Sequence, residues 1–223
     1  MEVWVDTCDA KIITSACRYN FIYGVTTNPS ILARSKESHE KVIKTLLEIQ
    51  DGPIAIQITA EEADEIVKRA LALHAFSDRI IVKVPAIEEG FIAIKRLSEL
   101  GVTTMATAIF QPNQALIAAL AGASYIAPYI GRMFDSGIDA YAALDSMVKI
   151  YQQYGFTTKI LAAALKTTEQ ITRCAELGID AITLKPSLFS QWTANDPETL
   201  ESLRAFADDW ESKDRETAMT LIL

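Results

Sequence analysis

Arg79-Ile80-Ile81-Val82-Lys83-Val84-Pro85 is an apolar strand with a lysine in its middle. A buried ammonium is costly unless it is paired or neutralised, so a lysine in such a run needs a reason. Two readings stand. A desolvated lysine loses its proton easily and can attack a carbonyl to form a Schiff base. A lysine at the end of an edge strand instead snorkels its ammonium to water. The surrounding chain decides whether this strand has an edge.

Working outward, the stretch before it reads as a third strand, Ile54–Ile58, entered by the turn Asp51-Gly52-Pro53. Thr59 then caps a helix, with Glu62 three residues on in a capping-box pattern. Further back, Glu2–Asp6 alternates as a first strand, Asp9–Tyr19 is a helix, and Phe21–Val25 is a second strand. Thr26-Thr27-Asn28-Pro29 closes that strand, because proline cannot donate to a ladder and holds its predecessor extended. Ser30 caps a helix running to about Gln50. After the lysine strand, Glu88–Leu100 is a helix ended by Gly101, Val102–Phe110 a strand, Gln111–Ala121 a helix and Ser124–Ala127 a strand. Ile138–Tyr154 is a helix with Ala140, Leu144, Met147, Val148 and Tyr151 on one face. Lys159–Ala163, the helix Thr168–Leu177, and Ala181–Leu184 follow, then a short helix at Ser187–Trp192. Pro197–Trp210 is a last helix outside the alternation. Eight strand–helix units in one domain predict an α/β fold, a closed (β/α)8 TIM barrel with an additional C-terminal helix. No glycine-rich dinucleotide or phosphate loop follows any strand, which weakens the open-sheet alternative.

The 223 residues are half hydrophobic, enough for one sizeable core over 1–223. A net charge of −8 argues against nucleic acid and anionic membrane as partners, while leaving room for a local cationic site for a small anion. Cys8, Cys17 and Cys174 are an odd, scattered set rather than a disulfide framework, which points to a reducing cytosol. His39 and His74 have no ligand spacing and read as surface residues, so no metal site is expected. Met1-Glu2-Val3-Trp4-Val5-Asp6 carries an acid where a signal peptide wants a base, so no targeting segment is expected. Leu100 to Gly131 lacks any charge, yet Gln111-Pro112-Asn113-Gln114 and Pro128 interrupt it, so strand, buried helix and strand fit better than a membrane span.

Barrel chemistry sits where strands end. Those ends are Asp6, Asn28, Gln57, Lys83, Thr107 and Tyr129, a polar ring from six successive strands. Each alone has a plain alternative. Asp6 can cap the next helix, Asn28 can be a turn residue, Thr107 a β-former, and Gln57 and Tyr129 satisfied core polar groups. Together they place an amine nucleophile, a carboxylate, a phenol and several amide or hydroxyl groups on one rim, a set suited to carbonyl chemistry on a polyol.

The chain resembles the small class I aldolases of the transaldolase family, most closely the fructose-6-phosphate aldolase-like branch. The resemblance spans nearly the whole chain. It rests on Gly24-Val25-Thr26-Thr27-Asn28-Pro29-Ser30, Val82-Lys83-Val84-Pro85, Gln114-Ala115-Leu116 with Ala121-Gly122-Ala123, and Ala127-Pro128-Tyr129-Ile130-Gly131-Arg132. It implies that Lys83 forms the Schiff base and that Asp6 contacts donor hydroxyls and helps move protons. Thr26 and Asn28 would line the donor site. Gln57, Thr107 and Tyr129 would hold a proton-shuttling water, with Tyr129 the general acid/base, and Arg132 would hold the acceptor's phosphate. No cofactor is implied. The implied substrates are sugars or sugar phosphates, split or joined at C3–C4 with dihydroxyacetone as donor; transfer of that unit to a second aldose is the alternative activity, and a non-catalytic sugar-phosphate-binding barrel the alternative of another class. The family's transaldolases tend to carry phenylalanine and glutamate where this chain has Tyr129 and Gln57, which favours the aldolase. The resemblance also implies a ring-based homo-oligomer of the decamer type, with 197–223 as the helix and tail in its contacts.

Two features depart from the family pattern. Ala164 stands where relatives carry a phosphate-binding serine, and Met133-Phe134-Asp135-Ser136-Gly137 is a short apolar loop where relatives are more polar. Lys185, at the end of the eighth strand, is the candidate replacement for the lost hydroxyl; the alternative is a solvated lysine before Pro186.

Overall fold

The structure, a computed structural model, describes residues 1–212. Among these, eight parallel strands pair in chain order: β1 (Glu2–Asp6), β2 (Ile22–Thr26), β3 (Ile54–Gln57), β4 (Ile80–Pro85), β5 (Thr104–Ile109), β6 (Tyr125–Pro128), β7 (Lys159–Ala162) and β8 (Ala181–Leu184). β8 pairs back onto β1, so the sheet closes and β4 has two neighbours, β3 and β5. The helices are α1 (Ala10–Cys17), α2 (Pro29–Leu32), α3 (His39–Ile49), α4 (Ala63–Phe76), α5 (Glu88–Glu99), α6 (Pro112–Leu120), α7 (Ile130–Asp135), α8 (Ala140–Tyr154), α9 (Thr168–Glu176), α10 (Pro186–Trp192) and α11 (Pro197–Ser212). The chain compacts into two units, Met1–Phe189, which holds the barrel, and Ser190–Leu223. Within the second unit α11 follows Asp196, whose side chain accepts from the amides of Glu198 and Thr199. The part of the expected oligomer-forming tail at 213–223 lies outside the described residues.

Trp4, Ala55, Ile81, Met105, Tyr125, Leu161 and Ala181 form the apolar floor of the barrel interior. Side chains alternate along a strand, so the residue two further on faces the same interior one layer higher. That layer contains Asp6, Gln57, Lys83, Thr107, Ala127, Ala163 and Thr183. Four of the expected polar strand ends, Asp6, Gln57, Lys83 and Thr107, thus share one storey above an apolar plug, while Asn28 and Tyr129 follow the last residues of β2 and β6. Below the plug, Glu2 accepts hydrogen bonds from the Trp4 indole (3.1 Å), the Tyr125 hydroxyl (3.1 Å) and Lys159 Nζ (2.5 Å). Lys159 also lies over the rings of Tyr23 and Tyr125. A satisfied polar cluster therefore lies beneath the apolar floor of the interior.

Several expected boundaries move. The helix expected from Ser30 to Gln50 is two helices, α2 capped by Asn28, whose Oδ1 accepts from Ile31 N, and α3 capped by Ser38, whose Oγ accepts from Lys41 N. The polar run Arg34-Ser35-Lys36-Glu37 between them joins neither, and two caps outcompete one continuous helix. The Thr59/Glu62 capping box does not form; α4 starts at Ala63, whose amide donates instead to Glu89 Oε2 of α5 at 3.0 Å. Met133 to Asp135, expected as loop, belongs to α7, which carries Arg132. β5 ends in a bulge, with Ala108 at φ +60° and a register shift between Thr107 and Ile109. His39 is exposed as expected, but His74 is half-buried on α4.

Candidate active site

Lys83 sits in the centre of β4 and is 5 % exposed. A closed barrel has no edge, so the snorkelling reading of this lysine fails. Its Nζ lies 2.8 Å from the carbonyl oxygen of Thr27 and donates to it. Burial lowers its pKa below the ordinary lysine value, and the Asp6 carboxylate offsets part of that by favouring the charge. An ordinary lysine near pKa 10.4 is neutral in only about one molecule in 2,500 at pH 7. Each unit of depression multiplies that nucleophilic fraction about tenfold, which is what the burial supplies.

Around the amine a cavity of about 970 Å³ opens at the C-terminal ends of the strands. Asp6, Asn28, Lys83, Tyr129, Arg132, Ala164 and Lys185, all expected from the sequence, line it. Two further expected residues stand behind the wall and hold its members. Thr26, fully buried at the end of β2, donates from Oγ1 to Asp6 Oδ1 at 2.7 Å. Asp6 therefore does not cap α1; Asp9 does, accepting from Lys11 N and Ile12 N. Thr107, also buried, hydrogen-bonds the Tyr129 hydroxyl at 3.0 Å. Asn28 serves the turn and the cavity at once: its side chain caps α2 while the residue lines the cavity.

Tyr129 sits at the junction of β6 and α7, with its ring edge-on to Phe110 at 5.9 Å. The Arg132 guanidinium stacks over the same ring, 4.7 Å from its centroid. The two are placed by the end of β7: Ile130 N donates to Ala163 O at 2.9 Å and Gly131 N to Ala164 O at 3.2 Å. Ala164 adopts φ +58°, a left-handed conformation that a Cβ makes unfavourable. Its methyl offers the cavity no hydrogen-bond donor, and the cations Arg132, Lys166 and Lys185 line the same cavity.

Gln57 is the exception. It pairs in register with Lys83 and shares the inward parity of Ala55, yet it is not among the residues lining the main cavity. It lines a separate groove of about 420 Å³ with Leu32, Ile58, Leu73 and Phe76. Sequence reasoning also missed residues that the fold brings in. Thr183 of β8 lines the cavity, and its hydroxyl lies 2.6 Å from that of Thr26. Lys166 and Asp135 line the mouth and pair with each other, Nζ to Oδ2 at 2.7 Å. Arg34, from the α2–α3 connection, lines the mouth as well. Parity with Ala181 would have found Thr183 once the inward face of β8 was known; the others come from loops with no local signal.

The family model for Transaldolase/Fructose-6-phosphate aldolase matches residues 3–221. A probable transaldolase of Streptococcus pyogenes serotype M2 is 38% identical over 212 residues, covering 95% of this chain and 99% of that one. Probable transaldolases of Moorella thermoacetica (37% identical, 95% and 98% covered) and Carboxydothermus hydrogenoformans (34%, 96% and 100%) are similar over the same extent. Among solved structures, a flavocytochrome b2 variant with benzoylformate aligns with a TM-score of 0.58 at 13% identity, over 85% of this chain and 58% of that one. A mandelate oxidase variant aligns equally well, with a TM-score of 0.58 at 13% identity over 94% and 73%. At that identity the likeness concerns the barrel alone.

Proposed function

The chain belongs to the transaldolase/fructose-6-phosphate aldolase family, and on that premise we propose that it is a Schiff-base aldolase that splits or forms a ketose between C3 and C4, with dihydroxyacetone as the donor. The observation that carries this reading is the buried amine of Lys83 with a lowered pKa, at the floor of an open polar cavity. Neutral Lys83 adds to the C2 ketone, and loss of water leaves a protonated iminium. The C4 hydroxyl gives up its proton towards Tyr129, through a bridging water. The C3–C4 electron pair then flows into the iminium, leaving an enamine on Lys83 and releasing an aldehyde. Protonation of the enamine carbon regenerates the iminium, and hydrolysis returns free dihydroxyacetone and the amine. Asp6, held by Thr26, contacts the donor's hydroxyls together with Asn28. Thr107 fixes the Tyr129 hydroxyl, and Gln57 reaches the bridging water by a side-chain rotation. Arg132 takes the acceptor's anion, with Lys185 compensating for the absent hydroxyl at Ala164.

Borohydride reduction in the presence of dihydroxyacetone, followed by peptide mapping, tests the chemistry. An adduct on Lys83 is expected; no adduct on any lysine would leave only a sugar-phosphate-binding barrel. A second reading is favoured by the relatives' name, probable transaldolase: the enamine waits for another aldose and the dihydroxyacetone unit is transferred. Release of free dihydroxyacetone from fructose 6-phosphate without an added acceptor separates the two. Tyr129, a hydroxyl able to feed a proton to the enamine, is the reason the aldolase comes first.

The same reading includes a homo-oligomer. Leu200, Leu203, Phe206 and Trp210 recur along one face of α11 and are exposed. A second copy of the chain is the proposed cover, and sedimentation of the full chain against one ending at residue 196 tests it. Free Cys8, Cys17 and Cys174 suit a reducing compartment such as the cytosol. Among the described residues no helix is long and apolar enough to cross a membrane.

A further inference from the structure

We infer that Thr183 is a positioning residue of the reaction, orienting Thr26 and through it the Asp6 carboxylate. The inference rests on the Schiff-base reading and follows from counting protons. Thr26 and Thr183 are buried, at 0% and 5% exposure, so each hydroxyl relies on protein partners. Thr26 has one hydroxyl proton. That proton goes to Asp6 Oδ1, which accepts it at 2.7 Å. The 2.6 Å contact between the two threonine hydroxyls then has a single polarity: Thr183 donates and Thr26 accepts.

The result is a directed chain, Thr183 to Thr26 to Asp6, in which each bond polarises the next. It runs from β8 to β2 across β1, the strand that carries Asp6, so the last strand of the barrel braces a carboxylate at the end of the first. Thr26 alone is free to turn its hydroxyl away from Asp6; with its lone pair already engaged by Thr183, it is held in the donating rotamer. Asp6 Oδ2 has no protein donor among the described residues, and Asp6 and Thr183 both line the cavity. The bracing therefore fixes one carboxylate oxygen and leaves the other for the substrate.

Thr183→Val exchanges the hydroxyl for a methyl of similar shape, Thr183→Ser keeps the hydroxyl, and Thr26→Val removes the middle of the chain. The readouts are kcat and KM for fructose 6-phosphate cleavage, and the borohydride adduct on Lys83 with dihydroxyacetone. Thr183→Val is expected to lower kcat about 10- to 100-fold, less than the roughly 100- to 10,000-fold of a group that itself moves the proton, because Thr183 acts through Thr26, with KM changed less than about threefold and the adduct retained. Thr183→Ser should stay within about threefold of the parent. In a double-mutant cycle, Thr183→Val should cost almost nothing once Thr26 is valine. Wild-type kcat in Thr183→Val, equal losses in the valine and serine variants, or additive losses in the cycle would each overturn the inference. If the valine variant does not fold, Thr183→Cys, with its weak donor, takes its place under the same criteria. A parent enzyme that forms no Lys83 adduct refutes the Schiff-base reading itself. A parent that forms the adduct, with a Thr183→Val variant of unchanged kcat, refutes the role of Thr183 alone.

Discussion

Replacing Gly131 by alanine tests whether the seam between β7 and α7 sets the acceptor end of the site. A Cβ at this position would lie 2.3 Å from the Ala164 carbonyl oxygen and 3.1 Å from two carbons of Lys166. An ordinary carbon–oxygen contact is about 3.3 Å, so the two backbones have to part by about 1 Å. Lys166 can swing aside, but the carbonyl belongs to a residue already in the left-handed region at φ +58° and cannot retreat cheaply. The movement stretches the bonds from Ile130 N and Gly131 N to β7, at 2.9 and 3.2 Å. Two weakened bonds at about 1 kcal/mol each give about 2 kcal/mol, in line with overpacking costs of about 1–3 kcal/mol. In a chain of this size that lowers Tm by roughly 4–8 °C. Arg132 rides on α7 next to the displaced residue, and a 1 Å error in a positioning group costs up to about 100-fold. Lys83 and its acceptor Thr27 lie outside the moving segment. Gly131→Ala should therefore lose about 10- to 100-fold in kcat/KM with glyceraldehyde 3-phosphate as acceptor, while the reduced dihydroxyacetone adduct on Lys83 forms as before. Thermal melts, condensation kinetics and adduct mapping on one preparation read all three. A variant with parental Tm and parental kcat/KM would refute the seam argument, and loss of the Lys83 adduct would show that the damage is not confined to α7.

Lys83→Met should change the pH dependence of stability. Because the folded pKa lies below the unfolded value, the unfolded chain holds a proton that the folded chain lacks between the two, so stability rises with pH through that window and levels off above 10.5. The variant has no such slope. Its Tm relative to the parent should be highest below the window and fall as pH approaches 10.5, and a pH-independent difference would contradict the burial argument. Tyr129→Phe removes the hydroxyl bound to Thr107; steady-state release of free dihydroxyacetone should drop about 100-fold or more while transfer to an added acceptor persists. Lys185→Met should raise KM for a phosphorylated acceptor several-fold and spare an unphosphorylated one, and equal effects on both would remove Lys185 from the anion site. Ala164→Gly relieves a left-handed φ worth about 1–2 kcal/mol against about 0.4–1 kcal/mol of added unfolded-state entropy, so the melt should show a Tm rise of up to about 6 °C, and a fall in Tm would contradict the strain argument.

The barrel was legible because its punctuation is chemical. Pro29, Gly101 and Gly178 stand close to where elements end, and the eight apolar runs were each found within about two residues. The parity of those runs was harder to read. A strand buried on both faces carries no alternation, so nothing local says whether Ile182 or Thr183 of β8 faces the interior. Asp6, Lys83, Thr107 and Tyr129 stood out because their polar groups or their places at strand ends needed explaining. Thr183 did not, since a threonine in a strand already has a reason as a β-former. Lys166, Asp135 and Arg34 meet only after β2, β6 and β7 have been placed around a circle, and no spacing in the chain encodes that. Gln57 shows the converse: strand end and register were right, yet its side chain is not in the cavity.

The net charge of −8 and the proposed anion site are compatible because electrostatics in salt is local, with a screening length of about 8 Å at physiological ionic strength. Most of the acidic residues lie on the helices, many in ion pairs along the same helix such as Lys44 with Glu40 and Lys149 with Asp145. The mouth has a different balance. Arg34, Arg132, Lys166 and Lys185 line it together with Asp6, Asp9 and Asp135. Lys166 is neutralised by Asp135, and Asp9 is occupied as a helix cap. Arg34, Arg132 and Lys185 form no ion pair with another described residue, so three cations face the space above the amine. An anionic substrate is repelled by the molecule at long range and attracted only within a screening length of this rim. The charge of the chain thus weakens non-specific binding of polyanions without weakening the site, because a nucleic acid would have to lie along the acidic flanks, whereas one small phosphate needs only the mouth.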